Sequence, residues 1–251
     1  MAKPVTTACM LIIGNEILSG RTQDTNLNHL ATALNEVGVQ MREARVIPDI
    51  EETIIATVNE CRANFDHVFT TGGIGPTHDD ITAVCIAKAF GVEVIEHPEI
   101  AERIRQREAP PEVMASRLLM ARTPKGAQLI DNPTGGPQGF TMGNVHVMAG
   151  VPMVMQAMAS TFTKEGLGGQ DPVRSVTVGA FLGESQMAVA LGELQEQHPD
   201  TDIGSYPFFR KDNYGANLVV RGTDLNELEV IRQALIKMIE GMGAEAHVDG
   251  I

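Results

Sequence analysis

The string from residue 67 to residue 91 constrains this chain more than any other. A short predicted strand (67–71) breaks into Gly72-Gly73-Ile74-Gly75-Pro76-Thr77-His78-Asp79-Asp80, and apolar residues then recur at helical spacing over 81–90 until Gly91 stops them. A buried strand that turns through glycines into a helix is half of a βαβ crossover, and such units close around a mainly parallel sheet. The surrounding sequence repeats the alternation. Strands are predicted at 5–13 and 39–47, helices at 25–37 and 51–65, and a hairpin ends at 145–148 before a methionine-rich helix that begins after Pro152. Helical spacing also covers 97–122, broken at Pro110-Pro111, and this stretch carries Arg103, Arg105, Arg107, Arg117 and Arg122. Residues 166–172 read as a linker. Beyond it, strand (173–181), helix (184–197), strand (201–206), strand (215–221), helix (224–241) and strand (244–248) give βαββαβ, the ferredoxin-like order. The expected architecture is α/β: a three-layer, mainly parallel sheet domain over 1–168 and a small C-terminal α+β ferredoxin-like domain over 172–251.

Composition narrows the partners. Lys plus Arg (19) against Asp plus Glu (32) leaves a net charge of −13, a balance that argues against a nucleic-acid surface and against an anionic membrane. An anionic ligand must then be held by local donors. Cys9, Cys61 and Cys85, odd in number and widely spaced, match neither a disulfide framework nor a metal motif. They read as core thiols of a cytoplasmic protein. The apolar run at the start of the chain is too short for a signal peptide or a spanning helix.

In a parallel sheet the ligand crevice lies beyond the carboxyl ends of the strands, where helix N-termini point free N–H groups outward. Three segments belong there: 14–28 with Glu16, Asp24 and Asn26; Asp49 after the second strand; and 72–82. Glycines at 72, 73 and 75 let a backbone approach a phosphate or pyrophosphate, yet neither the Lys-Ser/Thr of a Walker loop nor a GxGxxG fingerprint is present. Two carboxylates, Asp79 and Asp80, end the loop instead. Beside a phosphate they call for a divalent cation between them and the ligand, or for acid/base work. A plainer structural role competes at each position. Asp79 or Asp80 would cap the helix from 81, Asp49 with Glu52 would form a capping box, Asp24 or Thr25 would cap the helix from 25, and His78 would be solvated. The arginine stretch would be a solvated face; alternatively, it would supply the positive charge that an anionic ligand needs.

The motifs Gly14-Asn15-Glu16-Ile17-Leu18-Ser19-Gly20 with Asp24-Thr25-Asn26, residues 70–82, residues 132–140 and Gly150-Val151-Pro152 resemble the MoaB/Mog molybdopterin-binding superfamily. The branch is the one shared by the N-terminal domain of CinA proteins and the molybdopterin-binding-like domain of FAD synthase. The resemblance implies a homo-oligomer, trimer or dimer, with a small phosphate-bearing ligand over the strand ends. It places Gly14, Glu16, Asp24 and Asn26, then Gly72, Gly73, Gly75, Pro76, Thr77 and Thr82, then Asn132, Gly150 and Pro152 around that ligand. Asp49 and Asp80 match the two carboxylates implicated in molybdopterin chemistry in the Mog branch, while Asp79 stands where Mog proteins carry Arg and Ile74 where they carry Thr. The acidic pair is that of the CinA-like branch, whose members are associated with divalent-metal-dependent cleavage of ADP-ribose or FAD pyrophosphates. The resemblance thus implies, as the leading expectation, a magnesium- or cobalt-dependent nucleotide pyrophosphatase, with Asp80, Asp49 and Asp79 reacting and Asp80, Asp79 and Glu16 holding the metal. The alternatives are a molybdopterin-binding protein of molybdenum cofactor biosynthesis and a non-catalytic binding module.

Overall fold

The computed structural model describes residues 5–165, 167–169, 171–210 and 213–250. The chain divides into two compact units, Met1–Gln170 and Asp171–Ile251. Of the linker expected over 166–172, residues 166 and 170 lie outside the described residues.

The first unit runs β1 (Thr6–Ile13), α1 (Asn15–Leu18), α2 (Asn26–Glu36), β2 (Val39–Ile47), α3 (Glu51–Asn64), β3 (His67–Thr71), α4 (Thr82–Phe90), β4 (Val94–Glu96), α5 (Pro98–Arg105), α6 (Pro111–Leu118), β5 (Arg122–Pro124), β6 (Gln128–Ile130), β7 (Gly139–Met142), β8 (Val145–Met148) and α7 (Pro152–Glu165). Its sheet has the order β2-β1-β3-β8-β7-β6. The first four strands are parallel, and β7 is antiparallel to both its neighbours. β1 is central and buried on both faces from Ala8 to Ile13, so its sequence is continuously apolar rather than alternating. The chain steps from β1 outward to β2 and then back across β1 to β3. Right-handed crossovers therefore put α2 and α3 on opposite faces of the sheet. α2 buries Leu30 and Leu34, and α3 buries Ile54, Val58 and Cys61; each such aliphatic side chain contributes about 1.5–3 kcal/mol. The result is three layers. Cys9, Cys61 and Cys85 are all buried and free.

Three local expectations change. A one-turn helix, α1, comes after β1 where a plain loop was expected. The helical stretch stops short of Arg122: after a 3-10 turn at Leu119–Ala121, Arg122 enters β5 and pairs with Glu96 of β4. Pro124 ends that short strand and could not have extended a helix. The capping box at Asp49 and Glu52 does not form, because α3 is capped by Ile50 without a side-chain bond.

The second unit runs β9 (Arg174–Ala180), α8 (Glu184–Gln197), β10 (Asp202–Arg210), β11 (Asn213–Gly222), α9 (Leu225–Gly241) and β12 (His247–Val248). Its sheet, β10-β11-β9-β12, is antiparallel throughout, which is the ferredoxin-like arrangement of a βαββαβ chain. Asp224 caps α9, accepting from Asn226 N at 2.8 Å, and α9 lays Leu228, Ile231, Leu235 and Ile239 onto Val178, Leu218 and Val220.

Candidate functional site

β1, β3 and β8 end side by side, and glycine lets their turns touch. A Cβ on Gly72 (φ +103°) would lie 2.1 Å from the Ile13 carbonyl oxygen, and one on Gly150 would lie 3.3 Å from Gly72 Cα. The backbone of the turn is thus wedged between its neighbours at a conformation reserved for glycine. Thr82, fully buried at the start of α4, closes the loop: its hydroxyl donates to Gly72 O at 3.0 Å and its N–H to Gly73 O at 3.0 Å.

Within that loop Asp80 turns inward. Its carboxylate accepts from Gly75 N at 2.7 Å and from Thr77 N at 2.8 Å, and no side chain caps α4. The expected helix-capping role of Asp79 or Asp80 is therefore replaced by bracing of the loop. The Thr77 hydroxyl lies between the two acids, 2.5 Å from Asp80 Oδ2 and 2.6 Å from Asp79 Oδ1. Hydrogen bonding by Thr77 holds the Asp79 carboxyl below the usual carboxylate range. Two of the loop's backbone donors that would suit a phosphate, Gly75 N and Thr77 N, are already occupied by the loop's own carboxylate. Gly75 has no side chain because a Cβ would meet Asp80 Oδ2 at 2.7 Å.

Asp49 crosses to the first turn, where Oδ2 accepts from Asn15 N at 2.9 Å. It staples the end of β2 to the end of β1 instead of capping its own helix. Asp24 Oδ1 accepts from Leu27 N at 2.9 Å and so serves the start of α2. Asn26 is 4% exposed; its Nδ2 donates to Gly150 O at 2.8 Å, and its Oδ1 is buried without a protein donor. A small cavity of about 60 Å³ lies here, lined by Glu16, Thr22, Asp24, Asn26, Thr71, Gly150 and Pro152. An orphaned carboxamide oxygen facing such a space costs about 1–3 kcal/mol unless water or a ligand donates to it.

The structure gathers these residues into two groups rather than one. Asp79, Asp80 and Thr77 form the first, and Glu16, Asp24 and Asn26 line the second. The expected ligand set of Asp80, Asp79 and Glu16 does not close: among the described residues no three His, Cys, Asp or Glu side chains form a metal cluster. Glu16 folds back beside Gly14, whose Cβ would lie 2.5 Å from Glu16 Oε1. The remaining set is a pair of hard oxygen donors, which fits a magnesium ion held by one or two carboxylates and completed by water and substrate phosphates.

Asn132 anchors the second glycine loop. Its Nδ2 donates to Pro137 O at 2.7 Å and its Oδ1 accepts from Thr134 N at 3.0 Å, so the side chain is engaged inside its own loop. Thr22 and Thr71 also line the cavity beside Asn26, and Gln138 a neighbouring one; Thr22 lies outside the sequence motifs, and Thr71 and Gln138 lie within them without being expected as site residues. Thr71 carries the one accessible signal, a buried polar residue at the carboxyl end of a parallel strand, where polar side chains face ligand rather than core.

Comparison with known proteins places the chain. A family described as "Probable molybdopterin binding domain" matches residues 9–168, and one described as "FAD synthase, middle domain" matches residues 172–246. A protein of Pyrobaculum calidifontis is 34% identical over 212 residues, covering 80% of each chain. A CinA-like protein of Salinibacter ruber is 33% identical over 204 residues, 75% of this chain and 48% of that one. Among solved structures, the protein CinA of unknown function from Thermoplasma acidophilum superimposes with a TM-score of 0.58 at 31% identity, over 64% of this chain and 98% of that one. An α/β unit with a glycine turn at the carboxyl ends of its parallel strands is the architecture that the first of these families shares with this chain. The chain belongs to the molybdopterin-binding domain family, in its CinA-like branch.

Proposed function

We propose that the first unit binds a nucleotide pyrophosphate such as ADP-ribose or FAD over the 72–80 loop and hydrolyses its phosphoanhydride with a divalent cation. The observation that carries this reading is the Asp79–Thr77–Asp80 cluster on a turn at the strand ends, in a chain whose second unit matches a family described as "FAD synthase, middle domain". Asp80 holds the loop in shape through Gly75 N and Thr77 N. Asp79, kept ionised by Thr77, presents its other oxygen outward. A divalent cation, when bound, neutralises phosphoryl oxygens and lowers the pKa of water. Asp49, fixed through Oδ2, keeps Oδ1 to orient the attacking water. That water adds to one phosphorus, the bridging oxygen leaves with the other phosphate, and ADP-ribose yields AMP and ribose 5-phosphate.

Incubation with ADP-ribose and with FAD, plus magnesium or cobalt, tests this by AMP release. Asp80→Asn is expected to lower the rate by more than about a hundredfold. Absence of AMP from the unsubstituted protein, or equal release by Asp80→Asn, removes the hydrolase reading. A second reading, a molybdopterin binder of cofactor biosynthesis, is favoured by the description of the family that matches residues 9–168; its signature is a pterin phosphate retained through purification. Thermal stabilisation by the nucleotide without product would leave a non-catalytic module. The proposal includes a homo-oligomer, trimer or dimer, acting in the cytoplasm, and size-exclusion chromatography with light scattering checks the assembly.

A further inference from the structure

At the opposite end of the sheet order from Asp49, helices α5 and α6 and the 132–139 loop enclose a cavity of about 420 Å³ that no part of the proposed reaction uses. Its apolar wall includes Ile100, Ile104 and Met120, and its polar wall includes Arg107, Arg117 and Gly136. In the same unit Arg45, Lys88, Arg103, Arg105 and Lys125 each face a carboxylate. Among the described residues Arg107 and Arg117 have no such partner, as is also true of Arg62, which donates to Ala89 O, but Arg107 and Arg117 line one cavity. Arg107 Nη1 reaches only Gly135 O at 3.4 Å, and Arg117 Nη1 donates to Arg107 O at 3.2 Å. Arg122, also without a carboxylate partner among the described residues, lines the adjoining small cavity together with Gly75 and Asp80. Met120 and Gln138 line both spaces. In a chain of net charge −13, guanidiniums gathered around one hole with carbonyls for company are a local positive field awaiting an anion.

We propose that this cavity is a phosphate-binding subsite, with Arg107 and Arg117 gripping a phosphate group and the apolar wall taking the organic body attached to it. Planar guanidinium forks bind phosphate oxygens bidentately, which a lone backbone carbonyl does not satisfy. The inference rests on the reading of the 72–80 loop as the reaction site, because the shared Met120 and Gln138 make the subsite its extension. Gly135 shapes the wall: at φ +74° its Cβ would lie 3.1 Å from Arg107 Nη2. The acidic turn then handles the bond that breaks, and the arginines supply the affinity that the turn, filled by Asp80, does not.

Isothermal titration of the full chain with inorganic pyrophosphate and with ADP-ribose tests the subsite. Both are expected to bind, and the double variant Arg107→Ala/Arg117→Ala to bind each about tenfold to a hundredfold more weakly with an unchanged melting temperature. ADP-ribose binding more tightly than pyrophosphate shows that the apolar wall reads the body; equal affinity shows that phosphate alone is read, and either supports the site. No binding by the unsubstituted protein, or equal affinity in the double variant, overturns it. Arginine-dependent binding without AMP release sinks the hydrolase reading and leaves the subsite standing. AMP release with an unaltered KM in the double variant does the reverse.

Discussion

The 72–82 and 132–139 loops are built on one plan and differ in charge, the first acidic and the second uncharged. Each is glycine-rich and is braced by one of its own side chains: Asp80 accepts from Gly75 N and Thr77 N in the first, while Asn132 accepts from Thr134 N and donates to Pro137 O in the second. A brace takes up backbone donors that would otherwise help a glycine loop cradle an anion: Gly75 N and Thr77 N in the first loop, Thr134 N in the second. Charge then divides the labour. On the proposed readings, the acidic brace and Asp79 give the first loop to a cation, and an amide brace beside Arg107 and Arg117 gives the second to an anion. Glycine spacing marks where a loop is, and the bracing residue sets the charge it presents.

The difference in how tightly the loops are wedged gives the largest predicted effect. Gly72→Ala combines positive-φ strain with a Cβ 2.1 Å from the Ile13 carbonyl oxygen, and should cost roughly 4 kcal/mol or prevent folding of the first unit. Gly136→Ala meets its nearest neighbour, Asn132 Nδ2, at 3.5 Å, an ordinary contact, and should stay within about 0.5 kcal/mol. Denaturant unfolding followed by circular dichroism compares them. Equal losses would mean that the two loops are equally constrained.

The same physics decides how much of the molecule is legible in its sequence. The strands β1 to β3 with helices α2 to α4 are legible because long periodic runs report burial directly. The second unit is legible in its order of elements, though β10 extends to Arg210 rather than stopping at Tyr206, since an exposed edge strand carries weak patterning. The features that escape are set by contacts distant in sequence. Asp49 and Glu52 have the spacing of a capping box, and nothing local reveals that Asn15 N, 34 residues away, takes the carboxylate instead. Asp79 and Asp80 have the pattern of a metal pair or of helix caps, and only the fold of the turn shows Asp80 pointing back into it. The arginines are legible as charge, but their convergence on a cavity depends on the two short helices α5 and α6 folding against the 132–139 loop.

A perturbation that reaches both loops through their shared strands should not discriminate between them. His67 on β3, His146 on β8 and Thr141 on β7 form one chain of hydrogen bonds. His67 Nδ1 lies 3.1 Å from His146 Nε2, and His146 Nδ1 lies 3.0 Å from Thr141 Oγ1. Burial, with the neighbouring His67, pushes the His146 imidazole down to about 3 from its ordinary 6.5. The folded state thus keeps His146 neutral while the unfolded state takes up a proton below 6.5. Its contribution is fully present above pH 6.5 and falls away as the pH drops from there toward 3. About 2 kcal/mol should be lost between pH 7 and pH 5, with His146→Gln flattening that slope. Unfolding at the two pH values measures it, and a slope unaltered in the variant would assign the pH dependence elsewhere.

Next in size is the neutral brace. Asn132→Ala removes the bonds to Thr134 and Pro137 from a residue 5% exposed, and should cost about 1.5 kcal/mol. It should also weaken pyrophosphate binding by loosening the wall against Arg107, whereas Thr77→Val, in the acidic loop, should leave that affinity within about twofold. Loss of affinity in both variants would merge the loops into one site and undo the division of charge.

The smallest stability effect falls on Asp49, and for that reason it is the most informative about chemistry. Asp49→Asn keeps a side-chain oxygen for Asn15 N, so the staple between the ends of β1 and β2 survives and stability should change by less than about 0.5 kcal/mol. Only the charge disappears. If Asp49 is a structural staple and nothing more, AMP release from ADP-ribose is untouched by the change. If its second oxygen orients water, release falls by about a hundredfold at constant stability, and Asp49→Glu, which restores the charge at a longer reach, recovers little because water must be placed within hydrogen-bond distance of the reacting phosphorus. A stable, inactive Asp49→Asn would assign the acidic side of the sheet to bond breaking, and a stable, active one would leave the Asp79–Asp80 turn to do it alone.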